Sequence, residues 1–216
     1  MGNWRIERFL TFYKKNNLVK SKFVCNFAEV IFTKMKDLAL HILDIAQNSI
    51  SAKATLTQIT IDEDKSKNRY VLTVEDNGTG MPPEVLEKVT DPYTTSRKTR
   101  KVGLGLPLLK LSAERANGNL DITSELGTGT KITAIFEFDH IDRVPIGDIA
   151  GVVVMLASMN PNLDFIYKHT TPKGEYIFDT KEIKAALEDL SIQNISIQKY
   201  LKEMVEENLK EIEYDK

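Results

Sequence analysis

A single cysteine, Cys25, stands in a chain of 216 residues. One thiol builds neither an intrachain disulfide nor a four-cysteine zinc centre, so a reducing, cytoplasmic compartment is expected. No run of about 18 or more apolar residues occurs, so no membrane span is expected. The most apolar N-terminal stretch, Phe23 to Phe32, is broken by Asn26 and Glu29 and is not read as a signal peptide. An excess of one charge is missing too. The net charge of −2 argues against a protein that works by blanketing phosphate backbones, and no nucleic-acid partner is expected. Internal repeats, low-complexity segments and a Gly-x4-Gly-Lys-Ser/Thr phosphate loop are absent.

What is present suits a packed core: 42% hydrophobic and 28% charged residues. The chain divides into three parts. Residues 1–34 hold seven Lys or Arg against two Glu, a net of +5, so the rest carries −7. This basic, aromatic stretch is read either as a partner-binding or membrane-surface arm, or as sequence upstream of a true start at Met35. Residues 35–139 alternate helical and strand patterns. Helices are expected over Asp37–Ala52, Pro83–Val89 and Leu104–Ala116, the last ended by Asn117-Gly118. Strands are expected over Thr55–Asp62, Arg69–Asp76, Asn119–Ser124 and Lys131–Phe138, with Tyr70, Leu72 and Val74 on one face at period two. Residues 140–216 read as a helix over Ile146–Met159 and strands over Leu163–Thr170 and Glu175–Phe178. The turn Thr171-Pro172-Lys173-Gly174 joins those strands, and helices follow near 181–190 and 196–212. The expected fold class is α+β: a two-layer sandwich, a mixed sheet with helices on one face, plus a small C-terminal α/β appendage.

Four short segments carry possible chemistry. On the first helix, His41, Asp44, Asn48 and Ser51 are spaced three, four and three apart and share one stripe. The stripe is either a solvated polar face or a row of groups facing a ligand. An Asn carbonyl is a hard oxygen ligand suited to Mg²⁺. A carboxylate one turn earlier could orient or deprotonate water. Second, the strand ending at Asp76 runs into Asn77-Gly78-Thr79-Gly80-Met81-Pro82. This is either a plain tight turn or a wall where Gly78 and Gly80, with Met81 beside them, let backbone approach a flat ring. Asp76 would then accept from an exocyclic amine such as that of adenine. Third, Gly103-Leu104-Gly105-Leu106 opens a helix whose free amides suit phosphate oxygens. Before it lies the hydroxyl-rich, basic stretch Asp91-Pro92-Tyr93-Thr94-Thr95-Ser96-Arg97-Lys98, either a solvated loop or a mobile cover. Fourth, Gly127-Thr128-Gly129-Thr130 precedes the last strand of the region.

In that order these segments resemble the N box and the three glycine boxes of the GHKL ATPase superfamily, which includes gyrase B, MutL-type repair ATPases, heat-shock chaperones and sensor histidine kinases. The resemblance covers residues 36–138. It implies a Bergerat-type ATP pocket. In it Asn48 holds Mg²⁺, and Asp76 binds the adenine amine with Gly80 and Thr130 beside the ring. Gly103 and Gly105, with the backbone around Leu104 and Leu106, hold phosphate oxygens. Residues 91–102 form an ATP lid. There Tyr93-Thr94-Thr95 resembles the lids of the kinase branch, and the lysine role falls to Arg97 or Lys98. Asp44 stands where hydrolysing members carry a catalytic Glu, one methylene longer. His41 matches no catalytic histidine and is expected in the core or behind the site.

The branch stays open. The lid and Gly-Leu-Gly-Leu look kinase-like, whereas Asp44 and Asn48-Ser-Ile-Ser-Ala lean toward hydrolysis. No histidine precedes the first helix to serve as a phosphoacceptor on a hairpin. Three functions are weighed: a kinase or phosphotransfer component acting on a protein partner, an ATP-hydrolysing conformational switch, and a nucleotide-sensing interaction protein. A homodimer is possible under each, and residues 140–216 are read as a small partner or dimerisation module.

Overall fold

The first helix hides one face completely. In the computed structural model, which describes residues 36–91, 105–188 and 190–213, this helix, α1, spans Leu38–Ser51. Leu38, Ile42, Ile45 and Ala46 are fully buried and Ala39 nearly so, an i, i+4, i+7, i+8 face pressed on a sheet. Burying each of the large aliphatics contributes roughly 1.5–3 kcal/mol. The polar stripe runs from core to solvent: His41 is buried, Asp44 half-buried, and Asn48 and Ser51 are exposed.

The sheet consists of β1 (Leu56–Asp64), β2 (Arg69–Asp76), β3 (Asn119–Glu125), β4 (Gly129–Glu137), β5 (Asp164–Thr171) and β6 (Gly174–Asp179). Their order is β3-β4-β2-β1-β5-β6. All neighbours are antiparallel except β1 and β5, which run parallel from Leu56↔Asp164 to Asp62↔Thr170. The period-two face expected on β2 is the buried one: Tyr70, Leu72 and Val74 are each at most 1% exposed. Ile132, Ala134 and Phe136 of β4 continue it at no more than 4% exposed. Between β1 and β2 the chain turns on Asp64, whose carboxylate accepts from the Lys67 amide and the Ser66 hydroxyl. Asn68 then takes a left-handed conformation at φ +50°.

The remaining helices are α2 (Pro83–Leu86), α3 (Gly105–Arg115), α4 (Ile149–Met159), α5 (Thr180–Leu187) and α6 (Ile195–Ile212). Helix α4 is apolar nearly all round because α1 and α6 both pack on it. It starts at Ile149 rather than Ile146. The carbonyls of Pro145 and Ile146 accept from the first free amides of α1, at Leu38 and Ala39. Asp148 caps α4 instead, accepting from the Gly151 amide at 2.9 Å and from Lys202 at 2.8 Å. The strands expected within 140–216 form the hairpin β5–β6 and extend the same sheet. Leu38–Lys216 form one compact unit. The other unit, residues 1–37, lies almost wholly outside the described residues. No helix among the described residues is long and apolar enough to cross a membrane.

Candidate functional site

Asp76 is the last residue of β2, and its carboxylate is held from two sides. The Ser49 hydroxyl, from the buried face of α1, donates to Oδ2 at 2.8 Å. The Gly78 amide donates to Oδ1 at 2.8 Å. Each oxygen keeps a further lone pair for an incoming donor. Asn77 fastens the end of β2 to the start of β1. Its Oδ1 accepts from the amides of Thr55 and Leu56 at 2.8 and 2.9 Å, and its Nδ2 donates to the Thr55 hydroxyl.

The turn beyond is clamped on the β3–β4 hairpin. The Thr79 amide donates to Ala52 of α1's end, and the Gly127 amide donates to Thr79. The Met81 amide donates to the Ser124 hydroxyl, which also contacts the Gly129 carbonyl and the Thr130 hydroxyl, each at 2.9 Å. Thr130 is the register partner of Asp76. Asp76, Gly78, Gly80, Met81 and Thr130 therefore gather at one corner of the sheet beside α1.

The glycines serve backbone-to-backbone packing here. Gly80 has φ +64°, and a Cβ on it would overlap the Glu125 carbonyl. A Cβ on Gly129, at φ +134°, would overlap the Asp76 carbonyl. Both positions admit no side chain.

A second contact joins α1 to the start of α3. The Asp44 carboxylate lies against Gly105, the first residue of α3, where any Cβ would collide with it. Leu106 beside it is buried in the core, and Asn48 is exposed one turn further along α1. His41 sits in the core with Nε2 at 3.4 Å from the Ser112 hydroxyl. Thr94, Thr95, Lys98, Gly103 and Leu104 lie outside the described residues.

Three further residues join the corner without having been picked out from sequence: Ser49, Ser124 and Thr57. Ser49 and Thr57 are at most 2% exposed, and Thr57 is opposite Asp76 in the β1–β2 register. The Thr57 hydroxyl finds no hydrogen-bond partner among the described residues. The available signal for Ser49 was its position seven beyond Ile42 and four beyond Ile45, on the apolar face of α1.

Among the described residues no group of three or more His, Cys, Asp or Glu could hold a metal ion by itself. A cation here would need oxygens from a ligand as well, as Mg²⁺ on a nucleotide has.

A mixed sheet layered with helices, with glycine turns gathered at the end of β2 beside α1 and the start of α3 held against Asp44, defines a Bergerat-type nucleotide-binding fold. The sequence model described as histidine kinase-, DNA gyrase B-, and HSP90-like ATPase matches residues 33–140. The chain belongs to that family, and this region is its ATP-binding domain. It is 35% identical over 88 residues to sporulation kinase C of Bacillus subtilis, covering 41% of this chain and 20% of that protein. It is 28% identical over 136 residues to the sensor histidine kinase YxdK of the same organism, covering 61% of this chain and 42% of that one. The chain thus spans less than half the length of either relative. In fold it matches the N-terminal domain of a DNA repair protein with a TM-score of 0.52 at 18% identity, over 75% of this chain and 56% of the other.

Proposed function

We propose that the chain binds Mg²⁺-ATP at this corner and acts as a kinase or phosphotransfer component on a protein partner. The observation that carries the binding reading is the Asp76 carboxylate. It is fixed by Ser49 and Gly78, with acceptor capacity left for an exocyclic amine. Thr130 and the Gly80 backbone lie beside it as the wall of a base site, with Met81 next in the turn. ATP supplies the phosphoryl group. The exposed amide of Asn48 would ligate Mg²⁺ together with phosphate oxygens. The backbone around Gly105 and Leu106, opening α3, suits those phosphates. Gly103, Leu104, Thr94, Thr95 and Lys98 enter the proposal from sequence alone, as the rest of the phosphate loop and its cover. The names of the two kinase relatives support phosphotransfer as the activity.

One observation favours a second reading, an ATP-hydrolysing switch. Asp44 brings a carboxylate to the start of α3, where the terminal phosphate is expected, so it could orient an attacking water. Incubating the purified chain with Mg²⁺-ATP separates the two. ADP released at a rate lost in Asp44→Ala supports the switch. Nucleotide binding without ADP release supports the kinase, whose partner is then sought by phosphate transfer.

A further inference from the structure

Thr57 is the second residue of β1 and fully buried, yet its hydroxyl has no hydrogen-bond partner among the described residues. Other buried threonines on the neighbouring strand and helix are satisfied. Thr180 accepts from the Phe165 amide at 2.8 Å, and Thr171 donates to the Ile212 carbonyl at 2.6 Å. A buried hydroxyl without a partner costs about 1–3 kcal/mol, and valine would fill the same space on a strand without that cost. The hydroxyl therefore calls for a partner beyond the described residues, and a buried water is the smallest that fits.

The register says what such a water would touch. Thr57 and Asp76 are direct partners across β1 and β2, so their side chains leave the same face with Cβ atoms roughly 4.5–5.5 Å apart. The Asp76 oxygens take one donor each, from Ser49 and Gly78. One lone pair on each stays open, enough for one water and one ligand amine.

We infer that Thr57 is a positioning residue for the nucleotide base: through one buried water it completes the set of donors that holds the Asp76 carboxylate. Ser49 grips the carboxylate from the helix side and Gly78 from the turn. Thr57 grips it from the neighbouring strand. This rests on the assignment of Asp76 to the adenine amine.

The test is Thr57→Val in the full chain, with Thr57→Ser and Asp76→Asn beside it. Thermal unfolding and calorimetric titration with Mg²⁺-ATP and Mg²⁺-GTP are read for each. Thr57→Val is expected to unfold at the wild-type temperature or above. It should bind ATP about tenfold more weakly and prefer ATP over GTP less, since a hydrogen bond at a charged group is lost. Thr57→Ser should restore the preference. Wild-type ATP affinity in Thr57→Val would overturn the inference, as would a lowered unfolding temperature with the ATP preference intact. Wild-type ATP affinity in Asp76→Asn would instead overturn the adenine assignment beneath it.

Discussion

The hydroxyl of Ser49 points down from α1 onto the carboxylate of Asp76 at 2.8 Å, tying the N-box helix to the end of β2. Ser49→Ala keeps the helix, because alanine is the best helix former, but frees one carboxylate oxygen. ATP affinity should fall about fivefold to tenfold, the worth of roughly 1–1.5 kcal/mol. Ser51 is the control. It is exposed and its hydroxyl donates to the Gln47 carbonyl of its own helix, so Ser51→Ala should bind ATP as wild type does. Calorimetric titration reads both.

The glycine turns give a graded prediction. Gly80→Ala places a Cβ into the Glu125 carbonyl at a left-handed φ of +64°, so backbone of the β3–β4 hairpin must move. Gly127 has φ +83° but nothing within 4 Å of an added Cβ, so Gly127→Ala meets conformational strain alone, about 1–2 kcal/mol. Denaturant unfolding should rank Gly80→Ala clearly below Gly127→Ala. Equal losses would mean that the turn yields without disturbing the hairpin.

Gly105→Ala tests the link between α1 and α3. Alanine suits the first turn of a helix, but its methyl would displace the Asp44 carboxylate. Under the hydrolysis reading, ADP release should drop in Gly105→Ala about as far as in Asp44→Ala, with the fold retained by circular dichroism. Full ADP release in Gly105→Ala would show that the position of Asp44 is immaterial.

Among the described residues, burial raises three tyrosines above their ordinary range. Burial pushes Tyr176 up to about 12 from its ordinary 10.0. Burial first, then the Glu63 charge, raises Tyr70, and burial likewise holds Tyr167 well above the usual range. A phenol whose pKa is raised by folding contributes stability below its unfolded value, and that stability is lost as pH rises through the folded one. For Tyr176 the window runs from pH 10 to about 12. Tyrosinate absorbance should therefore rise for these residues together with loss of helical signal, rather than ahead of it.

At the acid end, the Lys202 ammonium, then the Gly151 amide, hold Asp148 below the ordinary carboxylate value. Its contribution is present above its ordinary value of 3.8 and is lost as pH falls through the lowered one. Asp148→Asn keeps a capping oxygen for α4 but drops the ion pair, so it should narrow the difference in stability between neutral and acid pH. Urea midpoints at both pH values read this.

Local pattern carried much of this architecture. The period-two face of β2 and the helical span of α1 depend on contacts within a few residues, so they were legible from sequence to within a residue or two. The hairpin of β5 and β6 was legible for the same reason, through its Pro-Lys-Gly turn. The parallel pairing of β5 with β1 was not, because a parallel neighbour leaves no mark on the sequence between them. Asp76 stood out as an acid followed by glycines. Ser49 and Thr57 did not, because a small hydroxyl on an apolar helix face or strand reads as filler until the opposite residue is known. Helix α4 starts later than its sequence pattern predicts because the carbonyls of Pro145 and Ile146 are taken by α1, a contact across more than a hundred residues.

The most direct test of the nucleotide site is titration of the purified chain and of Asp76→Asn with Mg²⁺-ATP. The substitution keeps the shape, removes the charge and turns one of the two acceptor oxygens into a donor. Binding by the wild type, weakened about a hundredfold or more in Asp76→Asn while the unfolding temperature holds, is the predicted result. Equal affinity in both proteins would contradict it and remove Asp76 from the base site.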